Sequence, residues 1–382
     1  MLMLLLTVAC ASDPKEVVEE PQPKEPSVLK IYVFAPDKPI VTRADIGDVD
    51  ASADEAAINT LDVWVFEHND AHTPVGHVHL SNMTWEGQKE VAIEVGDDFS
   101  ERKPNVDIYV AANVTASNCG FSLARDASAT DLTAASIGSN YFGLTSPVTS
   151  VPIEGLPMSG MLTGQPVTGI APVLSAKTNY VKLVRAVSKL RFIFSQSASN
   201  VLAISDLSIG LDRSALPTQE YLFLGGAYPE VKSHVGASYE TASAVNLVEG
   251  VTSDDIAKSI DPVQYVYDAE ASETGQAYED RINEGLKSEV DGEGTVTKSA
   301  ELSELGRFYL RESDQKLKGT ISYTFGGQQK SKDFEMAAAG DFTRNHTWIV
   351  YGYFMGSGEL VLHAVDVKAW TLEEDDHEIY NW

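Results

Sequence analysis

The sequence predicts an all-β protein built as two β-sandwich domains in tandem, with short helical insertions. Three observations lead there. Short apolar segments with period-two alternation recur along most of the chain, set apart by turn residues, while few stretches carry a helical period. The chain has 382 residues, enough for two cores at roughly 100–200 residues each. Hydrophobic residues make up 43% of it, a globular composition, and no period of roughly 20–50 residues marks a solenoid.

Taken in order, the first strand lies in Val28–Ala44, VLKIYVFAPDKPIVTRA. Leu29, Ile31 and Val33 share one face, and Val28, Lys30, Tyr32 and Phe34 the other. Pro36 and Pro39 stop any regular continuation. The next stretch, 44–59, is acidic and rich in small residues. Its Asp45, Asp48, Asp50 and Asp54 suggest a calcium loop, but the glycine falls in the wrong place and no glutamate closes a 12-residue EF-hand loop. A solvated linker is expected instead. LDVWVF (61–66), apolar on both faces, VAIEV (91–95) and VDIYVAANV (106–114) read as strands. Residues 122–136 turn helical or irregular, with Thr130 or Asp131 as the N-cap. After a Pro/Gly/Ser/Thr-rich stretch over 141–175, NYVKLVRAVSKLRFIF (179–194) reads as one long strand whose apolar face changes phase, which predicts a bulge near Arg185–Val187.

SQSASN (195–200) is the expected domain boundary. Beyond it DLSIGL (206–211), KLKGTISYTF (316–325), KDFEM (332–336), NHTWIVYGYFM (345–355) and ELVLHAVDVKAW (359–370) read as strands. Residues 251–300 are polar and acidic, with one helical piece, and read as a surface excursion.

The N-terminal MLMLLLTVAC is an apolar run ending in Ala9 and Cys10. It reads as the end of a secretion signal in which Cys10 is acylated, although a basic leader is missing and Thr7 stands where leucine is preferred. The Pro/Glu-rich stretch that follows reads as a disordered tether. Cys119 is the other cysteine, so acylation of Cys10 would leave no intramolecular disulfide. The charge of −28, from 28 Lys+Arg against 56 Asp+Glu, disfavours nucleic acid as a partner. No apolar run approaches the ~20 residues of a membrane helix, so contact with a membrane is expected only through the lipid.

Catalytic signatures are missing. The sequence holds no GxSxG, HExxH, CxxC pair or phosphate-cradling glycine loop, and neither enzymatic activity nor a cofactor is expected. His68, His72, His77 and His79 make a metal site conceivable, but their turn-rich surroundings favour exposed hairpin histidines. Arg43 draws interest for another reason. Arg43–Ala44 offers a trypsin-like protease a basic residue followed by a small one in an extended segment, whereas Lys38 is blocked by Pro39 and Lys30 lies inside the strand.

An ordered set of landmarks resembles the Bacteroidetes fimbrillins, the type V pilins that include major and minor fimbrial subunits. The set comprises Cys10, SVLKIYVF before VTRA, LDVWVF, YVAAN (109–113), LPMSG (156–160), KLVRAVSKLRF and the ending VDVKAW…NW. The resemblance implies transthyretin-like or immunoglobulin-like sandwiches and export as an outer-membrane lipoprotein. It also implies cleavage after Arg43 by an arginine-specific surface protease and polymerisation by strand exchange into a cell-surface fimbrium. On that reading residues 1–10 are the signal peptide and 11–43 a tether plus removable strand, with Leu29, Ile31 and Val33 as its plug. Residues 44–197 form the N-terminal sandwich and 198–382 the C-terminal one, whose stretch 359–382 is the donor. The donor face would use Val361, Val365 and Val367, with Leu360, Leu362 and Trp370 on its other side. Expected partners are further copies or related fimbrial subunits, the protease, and host or bacterial surface ligands. The alternatives are a fimbrial tip adhesin of the same family and a non-polymerising surface lipoprotein that binds glycan or metal; a secreted hydrolase has no supporting site.

Overall fold

The computed structural model describes residues 27–34, 53–82, 88–96, 98–145, 147–167, 180–197, 200, 202–224, 238–241, 244–259, 303–335 and 342–367. The N-terminal elements are β1 (Ser27–Phe34), α1 (Ala53–Ala56), β2 (Thr60–Glu67), β3 (Pro74–Ser81), β4 (Gln88–Val95), α2 (Phe99–Arg102) and β5 (Val106–Ala112). Next come α3 (Ala116–Cys119), α4 (Ala129–Ala134), β6 (Ser136–Gly138), β7 (Met158–Gln165), β8 (Tyr180–Lys182) and β9 (Val184–Arg185). The second half holds β10 (Ser188–Ser197), β11 (Ile204–Leu211), β12 (Gln219–Tyr221), β13 (Val245–Val251), β14 (Lys258–Ser259) and β15 (Ser303–Leu310). It ends with β16 (Lys318–Phe325), β17 (Gln328–Glu335), β18 (Thr347–Phe354) and β19 (Leu360–Val367).

These elements form the expected pair of sandwiches. In the first, the sheet β4-β1-β8 faces the sheet β3-β2-β5-β7-β9, and Leu29, Ile31, Val33, Leu61, Val63, Val91, Ile93, Ile108 and Val181 fill the space between. In the second, β14-β10-β18-β19, with β15 also on β10, faces β13-β11-β16-β17. Its core holds Leu190, Phe192, Phe194, Ile209, Phe325, Trp348 and Phe354. Alternation drives both: one face of each strand is apolar and can be buried only against another sheet. A third cluster explains why LDVWVF is apolar on both faces. Trp64, Phe66 and Tyr109 point away from the first core and are covered by Cys119, Leu132, Leu156, Leu222, Phe223 and Tyr309.

Several expectations are corrected. The 179–194 segment is three strands in three sheets: β8 pairs with β1, β9 with β7, and β10 with β15 and β18. The phase change therefore marks a crossing between sheets at Ala186–Val187, upstream of 195–200, and β10 already belongs to the second core. The ladder irregularity falls within β10 at Phe192/Ile193. The helix in 122–136 is capped by Ser128, which accepts from the Asp131 amide while Asp131 accepts from the Ser128 amide, a capping box two or three residues earlier than expected. The acidic stretch is a linker only in part, for Glu55, Ala56 and Ile58 are buried. The helical piece expected in 251–300 lies outside the described residues.

Candidate functional site

The first strand is an interior strand. β1 runs antiparallel to β4 over its whole length, from Ser27 opposite Val95 to Phe34 opposite Gln88. Its other edge meets β8 in parallel over Tyr32–Phe34 only, extended by the Leu183 amide donating to the Phe34 carbonyl at 3.0 Å. Leu29, Ile31 and Val33 are fully buried, at 1%, 0% and 0% exposure. Val91 and Ile93 from β4, Val181 from β8 and Leu183 just after it wall them in, and Leu61, Val63 and Val110 form the floor. On the outer face Lys30 and Tyr32 both meet Glu90. The strand is thus a row of three aliphatic plugs, held by a full ladder on one side and a short one on the other.

The segment that begins again at Ala53 is fastened independently of β1. Asn113, in the left-handed region at φ 57, accepts from the Asn59 amide at 2.8 Å and donates to the Ala57 and Leu156 carbonyls at 2.7 and 3.0 Å. Glu55 is fully buried, and its two carboxylate oxygens take Lys189 Nζ at 3.0 and 3.1 Å. The Tyr309 hydroxyl bonds the same carboxylate, and Arg185 Nε donates to the Glu55 carbonyl at 2.8 Å. Burial pulls the Lys189 ammonium down to about 8 against the pull of Glu55, and burial together with Glu55 pushes the Tyr309 phenol up. Two further networks are buried, and the first of them links the two halves of the chain. Arg311 bonds Glu240 and the carbonyls of Pro217, Gly138 and Tyr141. Arg344 bonds Glu312 and Glu220, and burial lifts Glu220 to about 8.

Sequence reasoning missed these networks. Arg185 and Lys189 read as strand residues and Glu55 as solvated linker, because a charged side chain defaults to the surface. The one available signal was the pair of basic residues inside an otherwise apolar run.

The other sequence-selected residues are placed as follows. Cys10, Arg43, Ala44 and Trp370 lie outside the described residues. In the stretch expected to act as donor, β19 pairs antiparallel with β18, from Leu360 opposite Phe354 to Val367 opposite Thr347. Leu360 is buried in its own second core and Leu362 packs against it, so part of that stretch already serves its own domain. Val361, Val365 and Val367 are strand positions in the same ladder. All four clustered histidines end on aspartates rather than standing free. His77 Nε2 and His79 Nδ1 each lie 2.9 Å from Asp62 Oδ1. His68 Nδ1 and His72 Nδ1 lie 2.8 and 3.2 Å from the carboxylate of buried Asp107. No group of His, Cys, Asp and Glu among the described residues is arranged to hold a metal ion. Cys119 is a free thiol inside the third cluster, and burial pushes it up to about 12, which makes it unreactive.

Residues 27–185 match the family model of the major fimbrial subunit protein FimA. No curated protein matches the chain at a significant level. Among solved structures, a proposed cell adhesion protein from Parabacteroides distasonis is 13% identical with a TM-score of 0.52, covering 91% of this chain and 98% of its own. The tip fimbrial protein Mfa3 from Porphyromonas gingivalis, with a C-terminal truncation, is 14% identical, TM-score 0.44, over 88% and 99%. The fimbrilin FimA from the same organism is 11% identical, TM-score 0.41, over 87% and 91%. Of these three, the first overlaps closely enough to speak for a shared fold.

Proposed function

We propose that the chain, whose residues 27–185 match the family model of the major fimbrial subunit protein FimA, is a structural pilin subunit of a cell-surface fimbrium that assembles by strand exchange and supports adhesion and biofilm. It is exported as an outer-membrane lipoprotein through Cys10, and an arginine-specific surface protease cuts after Arg43. The cut frees β1 to leave, and the C-terminal stretch of another copy or a related subunit fills the vacated groove. The observation that carries this reading is β1 itself, an N-terminal strand inserted between β4 and β8 with three fully buried aliphatic side chains.

Energetics support it. Exposing Leu29, Ile31 and Val33 costs about 1.5–3 kcal/mol each, on the order of 5–9 kcal/mol together, comparable with the whole stability of a domain. A vacated groove would also leave β4 and β8 with unpaired edges, which template another chain's strand. The segment from Ala53 onward would remain fastened by Asn113 and Glu55, so the rest of the fold can persist while β1 departs. Head-to-tail donation does not close on itself and builds a filament.

The test is to treat the full chain with an arginine-specific protease and follow SDS-resistant ladders. Wild type ladders, Arg43→Ala stays uncut and monomeric, and a chain ending at Leu362, which keeps the core residues Leu360 and Leu362, is cut but does not ladder. A cleaved protein that stays monomeric, identical to Arg43→Ala, sinks the proposal.

A further inference from the structure

Glu90, on the rim of the groove, is met by two side chains of β1. Lys30 Nζ lies 2.8 Å from Glu90 Oε1, and the Tyr32 hydroxyl donates to Glu90 Oε2 at 3.0 Å. These two hydrogen bonds hold the Glu90 carboxyl below its ordinary range. In the ladder Tyr32 stands opposite Glu90 and Lys30 opposite Ala92. A slip of one residue would turn Leu29, Ile31 and Val33 outward, and a slip of two would break one of the two contacts. Glu90 therefore reports register. Any strand that replaces β1 must place something opposite this carboxylate, and a like charge there is unfavourable.

The chain's own C-terminal stretch offers one match. Residues 359–382 contain a single Lys or Arg, Lys368, against Glu359, Asp366, Glu373, Glu374, Asp375, Asp376 and Glu378. Turning Lys368 outward toward Glu90 turns the odd-numbered residues inward, and these include Val365, Val367 and Ala369. Two registers then remain. Lys368 in the place of Lys30 would seat Val367, Ala369 and Thr371 in the pockets of Leu29, Ile31 and Val33. Lys368 in the place of Tyr32 seats Val365, Val367 and Ala369 in the pockets of Leu29, Ile31 and Val33. Apolar burial outweighs a half-exposed ion pair, so the second register wins.

Resting on the strand-exchange reading above, we infer that Glu90 sets the register of the groove for His363–Trp370 of a second copy, with Lys368 directly opposite it. His363–Val367 must then leave β18, where they pair with Tyr351–Thr347, while Leu360 and Leu362 stay in their own core. The acidic run 373–376 falls beyond the groove, where it need not be buried.

Charge reversal tests this on the full chain after arginine-specific proteolysis. Glu90→Lys and Lys368→Glu alone should each lower ladder yield about tenfold. The chain carrying both should recover to within about twofold of wild type. Cross-linking locates the register without relying on yield. A Glu90→Cys subunit mixed with a Lys368→Cys subunit should give a reducible dimer, and one mixed with Trp370→Cys should not. Cys119 is buried and does not compete. Single reversals that ladder like wild type, or cross-linking through Trp370→Cys instead, overturn the register while exchange stands. Failure of wild type itself to ladder overturns the exchange reading.

Discussion

Where the first sandwich is filled almost wholly by aliphatic residues such as Leu29, Ile31, Val63, Val65, Ile108 and Val110, the second adds to its own aliphatics, such as Leu190, Ile209 and Ile321, the rings of Phe192, Phe194, Phe308, Phe325, Trp348 and Phe354. Aliphatic rows on alternating strands are close to interchangeable: any strand with apolar residues at period two presents nearly the same surface. Aromatic rings are not, because each needs a particular neighbour. Tyr323 meets Phe354 edge-on at 4.9 Å, and Phe192 meets Phe308 and Phe334 edge-on at 6.1 Å. Phe194 lies against Gly352, where an added Cβ would come within 2.2 Å of the ring. A domain that must release one strand and accept another is better served by the first kind of core. The second kind suits a domain that has to stay intact while its end is used elsewhere.

The largest effect that can break this contrast is expected at Phe194. Phe194→Ala removes a ring that packs over Gly352 and against Phe354, and should destabilise the second sandwich by about 3–5 kcal/mol, read by denaturant unfolding. Collapse of neighbours into the space would show as a much smaller loss, and would mean that the aromatic core is as adaptable as the aliphatic one.

The strands of both sandwiches were largely legible because alternation is local. Leu29, Ile31 and Val33 could be chosen from spacing alone, and the structure buries all three. What escaped were strands whose side chains are not alternately apolar. β3 carries His77 and His79 beside turn residues, β7 lies in a Gly/Ser/Thr-rich stretch, and β15 interrupts its apolar residues with Glu304, Gly306 and Arg307. The candidate site was legible on its plug side and illegible on its fastening side. Glu55, Lys189 and Tyr309 lie far apart in the chain, and nothing local to Glu55 distinguishes a buried carboxylate from the exposed acids around it. Proximity alone reveals that the segment beginning at Ala53 is anchored to the second sandwich.

A smaller effect concerns how the strands of the second sandwich are held at its surface. Arg191 of β10 and Arg307 of β15 both bond Glu304, at 3.0–3.1 and 2.8–2.9 Å. Burial alone would raise Glu304, but the bonds from Arg307 and Arg191 overcome it and hold the carboxyl down to about 2, against an ordinary 4.5. A carboxyl lowered in the folded state contributes stability that is present above about 4.5 and lost as pH falls toward about 2. Thermal unfolding should therefore show a stability loss for the second sandwich across that window. Glu304→Gln should lower stability at neutral pH and flatten the slope. An unchanged slope would show that other carboxylates govern the acid limb.

The smallest effect is the most telling for strand exchange. Ile31 is fully buried at the middle of β1, a position where a rigid core would resist any loss of volume. Ile31→Val should cost only about 0.5–1.5 kcal/mol, and after cleavage it should speed release of β1 by about two- to tenfold, followed as the onset of laddering. The direction matters as much as the size. If the plug is displaced because its contacts are generic, trimming one methyl must hasten its departure and leave the final ladder unchanged, since the incoming strand never touches Ile31. Slower laddering, or a loss as large as that of Phe194→Ala, would mean that β1 is fitted to its groove as tightly as the aromatic rings are fitted to theirs, and a strand so fitted could not be replaced by one carrying valine and alanine in its place.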